Sequence, residues 1–126
     1  MKKLFLVLTL LSSFLFAEVQ IKKYDNGKVK SKTTIKNGKR NGLAQGFYRD
    51  GSLKYETIFK DDKREGLAKA YFKTGKIKSE QNYKGGFLNG VSKKYHKNGK
   101  LKSKFTFVDD LPLSGTAYTS TGEEIK

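Results

Sequence analysis

The chain has 126 residues, no cysteine and a single histidine, and its 27 Lys and Arg against 12 Asp and Glu leave a formal charge of +15. These counts exclude disulfide stapling, thiolate metal sites, a cysteine nucleophile and anchoring through a lipid-modified cysteine. A chain of this length makes one small domain.

Residues 1–17, MKKLFLVLTLLSSFLFA, begin with two lysines after the initiator methionine, continue through an apolar run from Leu4 to Leu11, and end in small and apolar residues at Ala17. The run is short for a bilayer span and lies at the extreme N-terminus, so it reads as a secretory signal peptide cut near Ala17. The protein is therefore expected to be exported, to the periplasm, the cell surface or the medium. Loss of Lys2 and Lys3 would take the charge from +15 to 15 − 2 = +13 on residues 18–126.

Those residues are organised by a period. Gly27, Gly51, Gly75 and Gly99 recur every 24 residues, and a worn copy follows at Gly122. A fixed period of this size marks a repeat array, in which a unit cannot bury its apolar face alone. After each anchor glycine the residues alternate. Val29, Ser31, Thr33 and Ile35 share one parity against Lys28, Lys30, Lys32 and Lys36, and Leu53, Tyr55, Thr57 and Phe59 oppose Lys54, Glu56, Ile58 and Lys60. The pattern returns from Ile77 and from Leu101. A period of two predicts half-buried strands and no helix.

Each such strand runs into a turn pair, Asn37-Gly38, Asp61-Asp62, Gly85-Gly86 or Asp109-Asp110, whose residue types suit tight hairpins. A second glycine follows at Gly42, Gly66 and Gly90, slipping to Gly115 in the last full unit. Short strands then begin at Leu43, Leu67 and Val91 and end in aromatic residues, Tyr48, Tyr71 with Phe72, and Tyr95. Ala44, Gly46, Ala68 and Ala70 leave room beside those rings. The expected fold is all-β, a single-layer, twisted antiparallel sheet of tandem β-hairpin repeats over residues 18–126. Pro112 and the acidic GEEIK terminus mark an irregular last unit that caps a sheet edge.

Little in this array can do chemistry. His96 occupies a slot that holds Tyr or Phe elsewhere, which packing explains. Asp61-Asp62 and Asp109-Asp110 have the form of paired carboxylates, but they fill the position that Asn37-Gly38 and Gly85-Gly86 fill in other units, so turn chemistry is the stronger reading. No glycine run ends in the Lys-Ser/Thr pair of a phosphate cradle. We expect no catalytic residue, no metal, no cofactor and no small-molecule substrate. A carbohydrate-active enzyme is the weakest of the functional classes considered.

What remains is lysine. Lys30, Lys54, Lys78 and Lys102 stand three residues after successive anchors, and Lys36, Lys60 and Lys84 stand nine after. Both offsets are odd, so strict alternation puts both rows on one face as a positive plane. That plane either keeps a strand face soluble or docks on an anionic lipid, an envelope polymer or an acidic protein. Arginines are confined to Arg40, Arg49 and Arg64, which disfavours specific nucleic-acid reading.

GKRNGLAQGFYRDG from Gly38 and DKREGLAKAYFKTG from Asp62 resemble the MORN (membrane occupation and recognition nexus) repeat. They are most similar to its bacterial variant, in which an aromatic-x-x-G-K-hydrophobic-K-S-E strand precedes the glycine turn. The resemblance implies a non-catalytic scaffold of stacked hairpins that binds a protein partner or associates with membranes. It also implies an alternative, an antitoxin- or immunity-type module that masks a toxic protein by stoichiometric binding.

Overall fold

The structure, a computed structural model, describes residues 16–126. Most of the expected signal segment, residues 1–15, lies outside the described residues. From Glu18 the chain is strand and turn: β1 (Glu18–Lys23), β2 (Val29–Lys36), β3 (Lys39–Phe47), β4 (Leu53–Lys60), β5 (Lys63–Arg64), β6 (Gly66–Tyr71), β7 (Ile77–Lys84), β8 (Phe87–Leu88), β9 (Gly90–Tyr95), β10 (Leu101–Val108), β11 (Leu111–Tyr118) and β12 (Glu124–Ile125). They form one open antiparallel sheet in the order β1-β2-β3-β4-β6-β7-β9-β10-β11-β12, with β5 beside β4 and β8 beside β7. The main path follows chain order throughout, passing over only the two short strands β5 and β8, as expected of stacked hairpins.

The two sheet ends carry different turns. At one end both residues of each predicted pair have positive φ: Asn37 and Gly38 at 53° and 74°, Asp61 and Asp62 at 49° and 67°, Gly85 and Gly86 at 59° and 90°, Asp109 and Asp110 at 48° and 69°. This is the type I′ geometry that joins two strands without splaying them. At the other end, Gly27 N–H donates to Tyr24 O at 3.0 Å and Tyr24 N–H donates to Lys28 O at 2.8 Å, and the same pair of bonds recurs in every unit. Gly27 sits there at φ 84°, a conformation that L side chains disfavour, which accounts for the constant anchor glycine.

Second strands begin earlier than the sequence pattern implied. They start directly after the I′ turn, at Lys39, Lys63 and Phe87, instead of at the apolar residue after the second glycine. An irregularity then interrupts pairing around Gly42, Gly66 and Gly90, at φ 115°, 82° and 97°. In the later units it is marked enough to break the strand into β5/β6 and β8/β9.

A second irregularity overturns the simple alternation. Lys22 and Lys23 pair Ser31 and Val29, Gly46 and Phe47 pair Tyr55 and Leu53, Ala70 and Tyr71 pair Ser79 and Ile77, and Lys94 and Tyr95 pair Ser103 and Leu101. In each unit one residue is left without a partner, and it is Lys30, Lys54, Lys78 or Lys102. A one-residue bulge reverses strand parity. Hence Ile77 shares a face with Tyr71, while Ser79 shares the other with Ala70.

The face carrying Ala44, Thr57, Phe59 and Ser92, here the inner face, holds the four most buried side chains outside glycine, at 4%, 5%, 8% and 6% exposure. Among the described residues no second layer covers it, so burial comes from side chains of adjacent strands. Tyr55 packs directly on Gly46: a Cβ built on Gly46 would lie 2.1 Å from Tyr55 Cε1. Phe105 lies on Gly115 in the same way, also at 2.1 Å. Gly46→Ala should therefore destabilise the protein by about 1–3 kcal/mol, as overpacking does. Tyr55→Ser, which installs the residue found at Ser31, Ser79 and Ser103, should remove most of that increment in a double-mutant cycle. Denaturant melts of the four proteins check this, and strictly additive losses would contradict the contact.

Candidate binding surface

Tyr24, Tyr48, Phe72 and His96 stand in a row along the anchor-glycine end. The Tyr24 hydroxyl donates to Phe47 O at 2.6 Å and the Tyr48 hydroxyl to Tyr71 O at 2.7 Å, each reaching into the next unit. His96 Nε2 lies 2.8 Å from Tyr118 O and makes the equivalent contact, so the only histidine stands in for a tyrosine. Lys30, Lys54 and Lys78 place their ammonium groups 5.7, 5.6 and 5.9 Å from the ring centres of Tyr24, Tyr48 and Phe72. Arg49 and Lys73 add a second cation at Tyr24 and Tyr48, at 5.3 and 5.7 Å. These contacts stabilise by roughly 0.5–1 kcal/mol each at exposed sites.

The two lysine rows do not make one plane. Lys30, Lys54, Lys78 and Lys102 are the bulge residues, and Lys78 and Lys102 line a hollow on the inner face. Lys36, Lys60 and Lys84 sit exposed beside the I′ turns, opposite Lys39, Lys63 and Phe87. On the outer face, cross-strand pairing produces a row Gln45, Glu56, Lys69, Glu80, Lys93, Lys104. Its signs alternate from Glu56 to Lys93, which breaks the expected positive plane. The Tyr71 hydroxyl donates to Glu56 at 3.3 Å and that of Tyr95 to Glu80 at 3.0 Å. Burial, and then the adjacent carboxylate, push both phenols above their ordinary range.

The I′ end is stapled from unit to unit. Arg40 N–H and Nε donate to Asp62 Oδ1 at 2.8 and 3.1 Å, and Asp62 N–H returns a bond to Arg40 O at 2.9 Å. Asp110 repeats this on Leu88, accepting from its N–H at 2.7 Å. Beside them Asn41 donates to Asp61 and Asn89 to Asp109, at 3.2 and 3.1 Å. Where the turn is Gly85-Gly86 the roles exchange, and Glu65 accepts from Gly85 N–H at 2.8 Å. The aspartate pairs are thus turn and staple groups. Among the described residues no group of three or more His, Asp or Glu is placed to hold a metal ion.

The inner face carries a hollow of about 580 Å³ over Ala70 and Ser79. Its cations are Lys78, Lys94, Lys97 and Lys102, its rings include Phe72 and His96, and no carboxylate lines it. Two substitutions within the repeat create it. Ser79 stands where the preceding unit has Tyr55, leaving the strand floor uncovered, and Lys94 stands where earlier units have Gly46 and Ala70. Of the lysines expected to contact a partner, the hollow gathers Lys78 and Lys102; the others lie apart from it. Lys94 carried no periodic signal, whereas Lys97 continues a basic row with Arg49 and Lys73 at the same 24-residue interval.

A family profile, MORN repeat variant, matches residues 19–37, 40–61, 64–84 and 88–109, four tandem copies that span most of the array. The chain belongs to the MORN repeat variant family. Membership makes it a repeat scaffold of the kind that serves protein or membrane interaction. Each profile segment ends at or beside an I′ turn, so the MORN units of the profile and the hairpins of the structure coincide. Among solved structures, the crystal structure of TarM is similar over 86% of this chain and 23% of that chain, at 13% identity and a TM-score of 0.45. The comparison with curated proteins returned no match.

The MORN staple at Asp62 makes an acid-sensitive element. The Arg40 backbone bond first, then its side-chain bond and the positive charges of Arg40 and Lys39, hold the Asp62 carboxyl below its ordinary value of 3.8. A group lowered on folding contributes stability above its unfolded value, and loses it as pH falls through the folded value. Asp62→Asn keeps an acceptor and tolerates positive φ, so it should remove part of the decline in melting temperature below about pH 4. Parallel pH profiles for the two proteins would contradict the staple.

Proposed function

We propose that this protein is an exported, non-enzymatic MORN scaffold that docks through its inner face on an anionic partner surface. The observation that carries this reading is the hollow over Ala70 and Ser79, where four lysines converge without a carboxylate. On the outer face Glu56 and Glu80 stand between the lysines. The hollow thus combines unopposed positive charge with open space. Within a Debye length of about 8–10 Å such charges act together, and salt weakens them. Export is supported by the signal-like residues 1–17, after which the array starts at once.

One experiment tests both parts. Native cells are separated into cytosol, periplasm and envelope, and the envelope is washed in stepped salt. The protein should be absent from the cytosol and held on the envelope at low salt, with release as the Debye length shrinks toward about 3 Å at 1 M. The variant Lys94→Glu with Lys102→Glu should be released at lower salt. Recovery from the cytosol would overturn export. Retention indifferent to salt and to the variant, or no retention at low salt, would overturn electrostatic docking.

A further inference from the structure

Resting on that docking reading, we propose that the inner face of the last two units is a trough for one extended peptide segment, acidic at one end and apolar at the other. The cationic hollow does not end at Lys94. A second hollow of about 340 Å³ shares Gln81 and Lys94 with it and is closed by Leu88, Phe105, Phe107 and Pro112. The two lie along the same strands. Ser79, Lys94 and Ser103 are successive cross-strand neighbours, as are Ser92 and Phe105, so all face one way. From Lys102 to Phe107 is five strand residues, or about 17 Å, the reach of an extended peptide of about five residues.

The middle of the trough decides between a peptide and a fatty chain. It presents Ser79, Gln81, Ser92 and Ser103 between the lysines and the phenylalanines. An acyl chain lying there would strip water from the Ser79 and Ser103 hydroxyls and the Gln81 amide nitrogen without replacing its hydrogen bonds, which costs free energy. A peptide backbone offers them donors and acceptors. Its acidic residue or terminal carboxylate then meets Lys78, Lys94 and Lys102, and its apolar side chain fits between Phe107 and Pro112. One unit earlier Tyr55 lies over the corresponding floor and the hollow beside it is smaller, about 220 Å³, with Glu56 in its lining.

The test uses the full chain and labelled hexapeptides read by fluorescence anisotropy. One peptide has two acidic residues, two small residues, and Leu-Phe. A second has the same composition shuffled, and a third has Lys in place of the acids. The first should bind at least about tenfold tighter than either other, a difference of about 1.4 kcal/mol. Lys94→Glu should abolish that preference, and Leu88→Ser, at the rim, should weaken the first peptide several-fold. Circular dichroism spectra matching the parent keep both variants interpretable. Equal binding of the shuffled peptide overturns the proposal, as does displacement of the first peptide by equimolar laurate, which would assign the trough to an amphiphile. If the peptide preference is absent while salt-sensitive envelope retention persists, the trough fails and the docking reading stands. If both are absent, both fail.

Discussion

Among the described residues the open sheet is one layer thick with nothing packed behind it, so each unit must be covered by the next. That constraint organises the molecule. The Tyr24 and Tyr48 hydroxyls donate to carbonyls one unit further on, Asp62 and Asp110 accept from backbone N–H groups one unit back, and Tyr55 and Phe105 lie flat against glycines of adjoining strands. All these links connect near neighbours, and stability in such an array is close to a sum of unit and interface contributions. They also require constant phase: a shift of one residue would move every side chain to the other face. Turns with positive φ at both ends hold the phase, and the bulge at Lys30, Lys54, Lys78 and Lys102 sets which face each part of the strand presents.

The bulge has a functional consequence. By reversing parity once per unit, it lets Leu53, Ile77 and Leu101 pack beside Phe47, Tyr71 and Tyr95 while the lysine between the two strand segments turns toward an aromatic ring or the inner hollow. The backbone is thereby uniform and the inner face is free to vary. Three side-chain exchanges at fixed offsets, Ser79 for Tyr55, Lys94 for Gly46 and Phe105 for Thr57, convert a closed floor into a trough with a cationic and an apolar end. In a scaffold of this design specificity lies in a few substituted positions.

Much of the fold was legible in the residues. The anchor glycines and the four turn pairs each leave a local chemical mark and appear where expected, and His96 in a tyrosine slot was likewise readable; of the small residues expected beside rings, Gly46 does carry one, but it is Tyr55 of the long strand, and Ala70 lies beneath the open hollow. The bulge was not. Lys54 continues the alternation of Lys54, Glu56, Ile58 and Lys60 without interruption, and an unpaired residue present in every unit does not disturb a period of 24. Assuming a regular pleat therefore put both lysine rows on one face. The hollow was hidden for a related reason, since it depends on which residues oppose one another across strands. Comparing offsets would have exposed it: Tyr55 against Ser79, and Gly46 against Lys94.

The register at the bulge is the claim on which faces, rows and trough all depend, and cross-strand proton contacts in solution measure it directly. In an isotope-labelled sample, nuclear Overhauser effects should link Ala70 with Ser79 and Tyr71 with Ile77, with Lys78 paired to neither. Effects linking Tyr71 with Lys78 as direct partners would mean an unbulged strand and would contradict the account.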